Sequence, residues 1–93
     1  MEKLETLQNL IANALVEYNA YGGAHTSMCH ALGDIELSNE VLSIMICFSE
    51  AWENADSDDD QELDRILNNY TGEIINWLKV NSLYERALNC SKI

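Results

Sequence analysis

Leu4, Leu7, Leu10, Ile11, Ala14, Leu15, Tyr18 and Tyr21 recur at the i, i+3, i+4, i+7 spacing that lines one face of a helix. Gly22-Gly23 then supply a C-terminal stop. Segment 24–32 reads as a short second helix opening near His25-Thr26-Ser27, and Gly33-Asp34 ends it before a loop carrying Ile35 and Leu37. Ser38 can cap a third helix by accepting a free backbone N–H; the helix carries Val41, Leu42, Ile44, Met45, Ile46, Phe48, Ala51 and Trp52. Stretch 41–48 is apolar nearly all round, which predicts a central helix contacted on several sides. On that reading Ile46→Asp unfolds the protein or splits a dimer, because it buries an unpaired charge. Ser43, Glu50 and Glu53 fall on one polar side, which favours helix over strand despite the β-branched content.

Asn54 is followed by Ala-Asp-Ser-Asp-Asp-Asp-Gln-Glu, a loop entering a fourth helix in which Asp58 and Gln61 have capping-box spacing. Leu63, Ile66, Leu67, Tyr70, Ile74, Trp77 and Leu78 hold one face through Gly72. A mid-helix glycine costs about 1 kcal/mol relative to alanine, so the pattern is equally compatible with a bend at Thr71-Gly72 and with an unbroken helix. Ser82 and Glu85 repeat the capping-box pattern ahead of Leu83, Tyr84, Ala87 and Leu88, with Asn81 as the joint. With no proline in the chain, the expected fold is all-α: a small single-domain bundle of four or five helices over residues 1–93, with a central apolar helix. At this length folding buries about two thirds of the unfolded chain's surface, so the core is modest.

Charge changes the picture. The net charge is −11, and between Lys3 and Arg65 there is no lysine or arginine but thirteen carboxylates, eleven of them in segment 34–64. From Arg65 onward four basic residues face Glu73 and Glu85, so the acidity is regional. Nearly half the residues are hydrophobic, too many for a disordered acidic tail. The N-terminal residues lack the basic start of a signal peptide and no apolar run approaches the ~20 residues of a membrane span. Three widely spaced cysteines, Cys29, Cys47 and Cys90, do not form a disulfide framework. A cytoplasmic protein with no membrane contact is the expectation.

Specific chemistry is weakly signalled. Residues 56–67 match an EF-hand loop at several ligand positions, but Gln61 stands where the sharp turn needs glycine and Leu67 where a bidentate glutamate is needed. His25 and Cys29 share a helical face next to His30, a partial zinc geometry with no further paired ligands. The bland reading makes Cys29 and Cys47 buried small hydrophobes. A Cys–His nucleophile needs an electropositive setting, which an acidic field opposes, and no glycine-rich phosphate cradle is present. The expectation is therefore no enzyme, no cofactor and no metal. Direct nucleic-acid binding is not expected either, since its affinity requires basic residues facing phosphate.

The remaining candidate is a contact surface. Carboxylates in a first helical turn each gain roughly 0.3–1 kcal/mol from the helix dipole, which accounts for one or two of the six between Asp56 and Asp64 but not the rest. Trp52 reads first as core; flanked by Glu50 and Glu53, it also has the composition of a hot spot for an arginine-rich partner. The expected partner-binding residues are Glu50, Trp52, Glu53, Asp56, Asp58, Asp59, Asp60, Glu62 and Asp64. Such a face suits a small inhibitor that occludes the basic surface of a nuclease or nucleic-acid-binding complex, in the manner of anti-CRISPR, immunity and antitoxin proteins. That likeness is one of charge and size, not of motif. The alternative is an apolar adaptor or homodimer, joined through 41–48 or the 63–78 stripe, whose acidity serves solubility.

Overall fold

The computed structural model describes residues 2–21, 28, 32 and 38–90. Among the described residues the architecture is all-α, with four helices and no strand: α1 (Glu2–Tyr21), α2 (Asn39–Asn54), α3 (Asp60–Val80) and α4 (Tyr84–Cys90). Met28 and Leu32 are buried, and the Leu32 N–H donates to the Met28 carbonyl at 3.1 Å. The rest of the expected second helix, with His25, Cys29 and His30, lies outside the described residues.

Helix α1 follows its apolar stripe. Leu7, Ile11, Ala14 and Leu15 are buried, Leu4, Val16 and Tyr18 pack at their margin, and Leu10, at the edge of the stripe, is 38 % exposed. Helix α2 starts as expected. Ser38 is extended, and its Oγ accepts the Val41 N–H at 3.5 Å. Extended backbone at Ala55, whose N–H reaches the Trp52 carbonyl at 3.3 Å, ends the helix. Val41, Met45 and Phe48 are its buried residues, but Ile46 is 49 % exposed and Cys47 is exposed. The expectation of a core Ile46 and a buried Cys47 is thus corrected. Both residues fall in helical register with Ser43, Glu50 and Glu53, on the side that those polar residues turn to solvent.

Helix α3 carries the most varied packing. Its N-cap is Asp59, one residue later than the expected Asp58, with Oδ1 accepting the Glu62 N–H at 3.1 Å. The helix runs unbroken through Gly72 and buries Ile66, Thr71, Ile74, Ile75, Trp77 and Leu78. Its end is closed by two bonds, Leu83 N–H to Leu78 O at 2.8 Å and Ser82 N–H to Lys79 O at 3.2 Å. These are the two bonds of a Schellman motif, and Ser82 takes the left-handed position with φ 60°. Ser82 therefore terminates α3 instead of capping α4, and the expected Ser82–Glu85 capping box does not form. The Asn81 side-chain amide adds a 2.8 Å bond to the Trp77 carbonyl.

Helices α1 and α3 each pack against the other three, whereas α2 lies against α1 and α3. At the α2–α3 contact Phe48 meets Trp52 with ring centroids 5.2 Å apart, and the edge of Tyr70 at 5.9 Å. Aromatic pairs in such offset and edge-on arrangements contribute about 0.5–1.5 kcal/mol beyond their buried area. Lys79 Nζ sits 4.9 Å above the Tyr84 ring and ties the end of α3 to α4. No described helix is long and apolar enough to cross a membrane.

Candidate functional site: the acidic α2–α3 hairpin

Helices α2 and α3 form an antiparallel hairpin. Residues 51–55 share a hollow with 62–70, and residues 40–44 share one with 73–81. The short connection reverses the chain with polar side chains doing the work of a turn. Asp56 Oδ1 accepts the Asp58 N–H at 3.0 Å, and the Asp59 N–H donates to the Asp56 carbonyl at 3.0 Å. Asp59 then starts α3. Two of the aspartates, Asp56 and Asp59, thus build the turn.

The structure brings all nine expected contact residues onto this one end of the hairpin. Glu50, Trp52 and Glu53 occupy the last turns of α2; Asp56, Asp58 and Asp59 the connection; Asp60, Glu62 and Asp64 the start of α3. Glu50, Glu53, Asp56, Asp58, Asp59, Asp60 and Asp64 are exposed, and Glu62 is half-buried. Trp52 is half-buried too, its ring against Phe48, so it contributes to packing as well as to the surface. No described residue donates a hydrogen bond to the carboxylates of Asp58, Asp60 or Asp64. They go beyond what the turn and cap require.

One cation interrupts the belt. Arg65 Nη2 lies 3.5 Å from Glu62 Oε1, with 74 % of the arginine side chain exposed. A surface pair of this kind contributes about 0–1 kcal/mol, so it offsets one charge without neutralising the surface. Beside it a hollow of about 270 Å³ opens between the helices, lined among others by Asn54, Ala55, Ile66, Asn69 and Tyr70. Farther along the hairpin a second hollow of about 440 Å³ is lined by Ile44, Trp77 and the 75 %-exposed Val80, with Glu40 and Glu73 at its rim. Sequence reasoning missed these residues. The signal was present in the register of positions 62, 66, 69, 73, 76 and 80, which share one face of α3 at steps of three and four.

Among the described residues no group of three or more histidine, cysteine, aspartate or glutamate side chains is placed to hold a metal ion. Comparison of the chain with family models, curated proteins and solved structures finds no match. The functional reading therefore rests on this surface and its chemistry.

Proposed function

We propose that the protein is a small inhibitor that docks its acidic α2–α3 turn onto the basic, nucleic-acid-binding surface of another protein and keeps phosphate out. The observation that carries this reading is the exposure of Asp58, Asp60 and Asp64 without any hydrogen bond from a described residue. Retaining like charges at this density opposes compaction, so a counter-charged partner is the natural use for them. Duplex DNA presents one charge per about 1.7 Å of axis, and a belt of carboxylates along a turn and two helix ends offers a comparable ladder. Association is steered by the field and weakens as salt rises. Glu50, Glu53 and the exposed edge of Trp52 border the same contact, and the target is a nuclease or nucleic-acid-binding complex of the cytoplasm. Charge-based inhibitors of the anti-CRISPR, immunity and antitoxin classes act in this manner.

The test replaces Asp58, Asp59 and Asp60 together by asparagine. Asparagine caps helices about as well as aspartate, so helicity stays intact while three charges go. Capture of the target from lysate, eluted in a rising salt gradient, is expected to fall at least tenfold. Unchanged capture by the triple variant overturns the acidic-turn reading. A second reading is favoured by the exposure of Ile46 and Cys47 on α2: an apolar adaptor or homodimer. Its mark is a contact that resists high salt and is lost in Ile46→Asp.

A further inference from the structure

The two hollows of the α2–α3 hairpin lie in line along the same two helices, a groove in two parts. On α3 their linings follow a single stripe from Glu62 to Val80, and on α2 positions 40, 44, 51 and 55 do the same, with the exposed Cys47 in register between them. Helix α1 lies elsewhere. It shares a separate hollow with Leu67, Asn68, Thr71 and Gly72, on the opposite face of α3. The groove floor is mainly apolar at the end away from the turn, where Ile44, Trp77 and Val80 line it; toward the turn Ala51, Ile66 and Tyr70 share it with the polar Asn54 and Asn69. Trp77 lines the end away from the turn with an indole N–H that is buried and has no acceptor among the described residues, and Val80 is 75 % exposed. The rim is acidic, with Glu40 and Glu73 at one end and Glu62 at the other, where the groove opens onto the aspartates of the turn. Among the described residues Arg65 is the one cation lining either hollow, and it pairs with Glu62 at 3.5 Å.

We infer that this groove receives an amphipathic helix of the target, apolar along one stripe and flanked by lysine or arginine. An apolar trough between two antiparallel helices takes a third helix through anchors at i, i+3, i+4 and i+7. The stripe from Glu62 to Val80 is about 27 Å long at 1.5 Å per residue, which matches a helix of about five turns. Charge selects the occupant. A second copy of this chain would bring its own carboxylates, in a molecule of net charge −11, against Glu40 and Glu73, whereas a basic helix pairs them. The inference rests on the proposed function and specifies which element of the target is seized. The acidic turn attracts the basic surface, and the groove holds one helix of it in register.

The probe is a synthetic helical peptide of about five turns, with leucines at i, i+3, i+4 and i+7 flanked by lysines, compared with a scrambled peptide of identical composition. The expected result is at least tenfold tighter binding of the amphipathic peptide, with amide shifts in the NMR spectrum centred on Ile44, Ala51, Tyr70 and Val80. The Glu73→Lys, Val80→Lys double variant, altered at two exposed positions, is expected to lose at least tenfold while keeping its helical circular dichroism. Equal affinity for the scrambled peptide, or shifts confined to residues 56–64, overturns the groove. Self-association that the double variant abolishes also overturns it, since a second copy then fills the site. The Asp58, Asp59, Asp60 triple variant runs alongside. Peptide binding lost in the triple variant but not in the double variant overturns the groove and keeps the acidic turn, and the opposite pattern keeps the groove and overturns the turn.

Discussion

Ser82 holds a left-handed backbone conformation, φ 60°, that costs a side-chain-bearing residue roughly 1–2 kcal/mol. It persists because its N–H and that of Leu83 close the carbonyl end of α3. Glycine at this position removes the clash between Cβ and the backbone, at some cost in unfolded-chain entropy. Ser82→Gly is therefore expected to stabilise by about 1 kcal/mol, read as a higher urea midpoint with an unchanged slope. Gly72 is the opposite case, a mid-helix glycine whose added Cβ meets nothing within 4 Å. Gly72→Ala is expected to stabilise by about 1 kcal/mol through helix propensity. A loss of stability would show that the exposed face of α3 is occupied at that point. Neither site was readable in advance: serine is a far commoner N-cap than a left-handed C-terminal residue, and glycine marks bends and unbroken helices alike.

Element by element, legibility followed how few residues can play a given part. The α1 stripe and the Ser38 cap are visible in sequence because Leu7, Ile11, Ala14 and Leu15 recur at helical spacing and a single serine stands just before the apolar run from Val41. The start of α3 was off by one because Asp58, Asp59 and Asp60 offer three chemically equivalent caps, and only the fold selects Asp59. In α2 the solvent side is masked because apolar residues share it with polar ones. The spacing that puts Ser43, Glu50 and Glu53 on one side puts Ile46 and Cys47 there too, between them. The two neighbouring positions 45 and 46 now make opposite predictions. Met45, fully buried, should cost about 2–5 kcal/mol as alanine, whereas Ile46→Asp should change stability by no more than about 0.5 kcal/mol. Thermal unfolding of both variants decides it, and an unfolded Ile46→Asp protein would return that residue to the core. The contact belt was legible as composition, but its groove was not, since a trough between two helices exists only once they are paired.

For the whole molecule, size and screening have to be compared. Its extents are 35 × 27 × 23 Å, and at about 0.01 M salt the Debye length is about 30 Å, so nearly every carboxylate feels every other. Raising salt to about 0.15 M shortens that reach to about 8 Å and removes most of the mutual repulsion. The melting temperature is expected to rise by several degrees over that interval, about 4–8 °C for each kcal/mol relieved in a domain this small. A flat or falling curve would mean that the belt is internally compensated. The hairpin also sets the order of events in time. Helices α2 and α3 are joined by a short turn, whereas α1 reaches α3 and α4 only across the chain between Tyr21 and Asp60. Closing the shorter loop costs less entropy, so the hairpin is expected to be the folding nucleus, with α1 docking late. Stopped-flow kinetics should show Phe48→Leu slowing folding and Leu7→Ala mainly hastening unfolding. The surface proposed to meet the target is then the first part of the chain to take shape, assembled before the rest of the core has closed behind it.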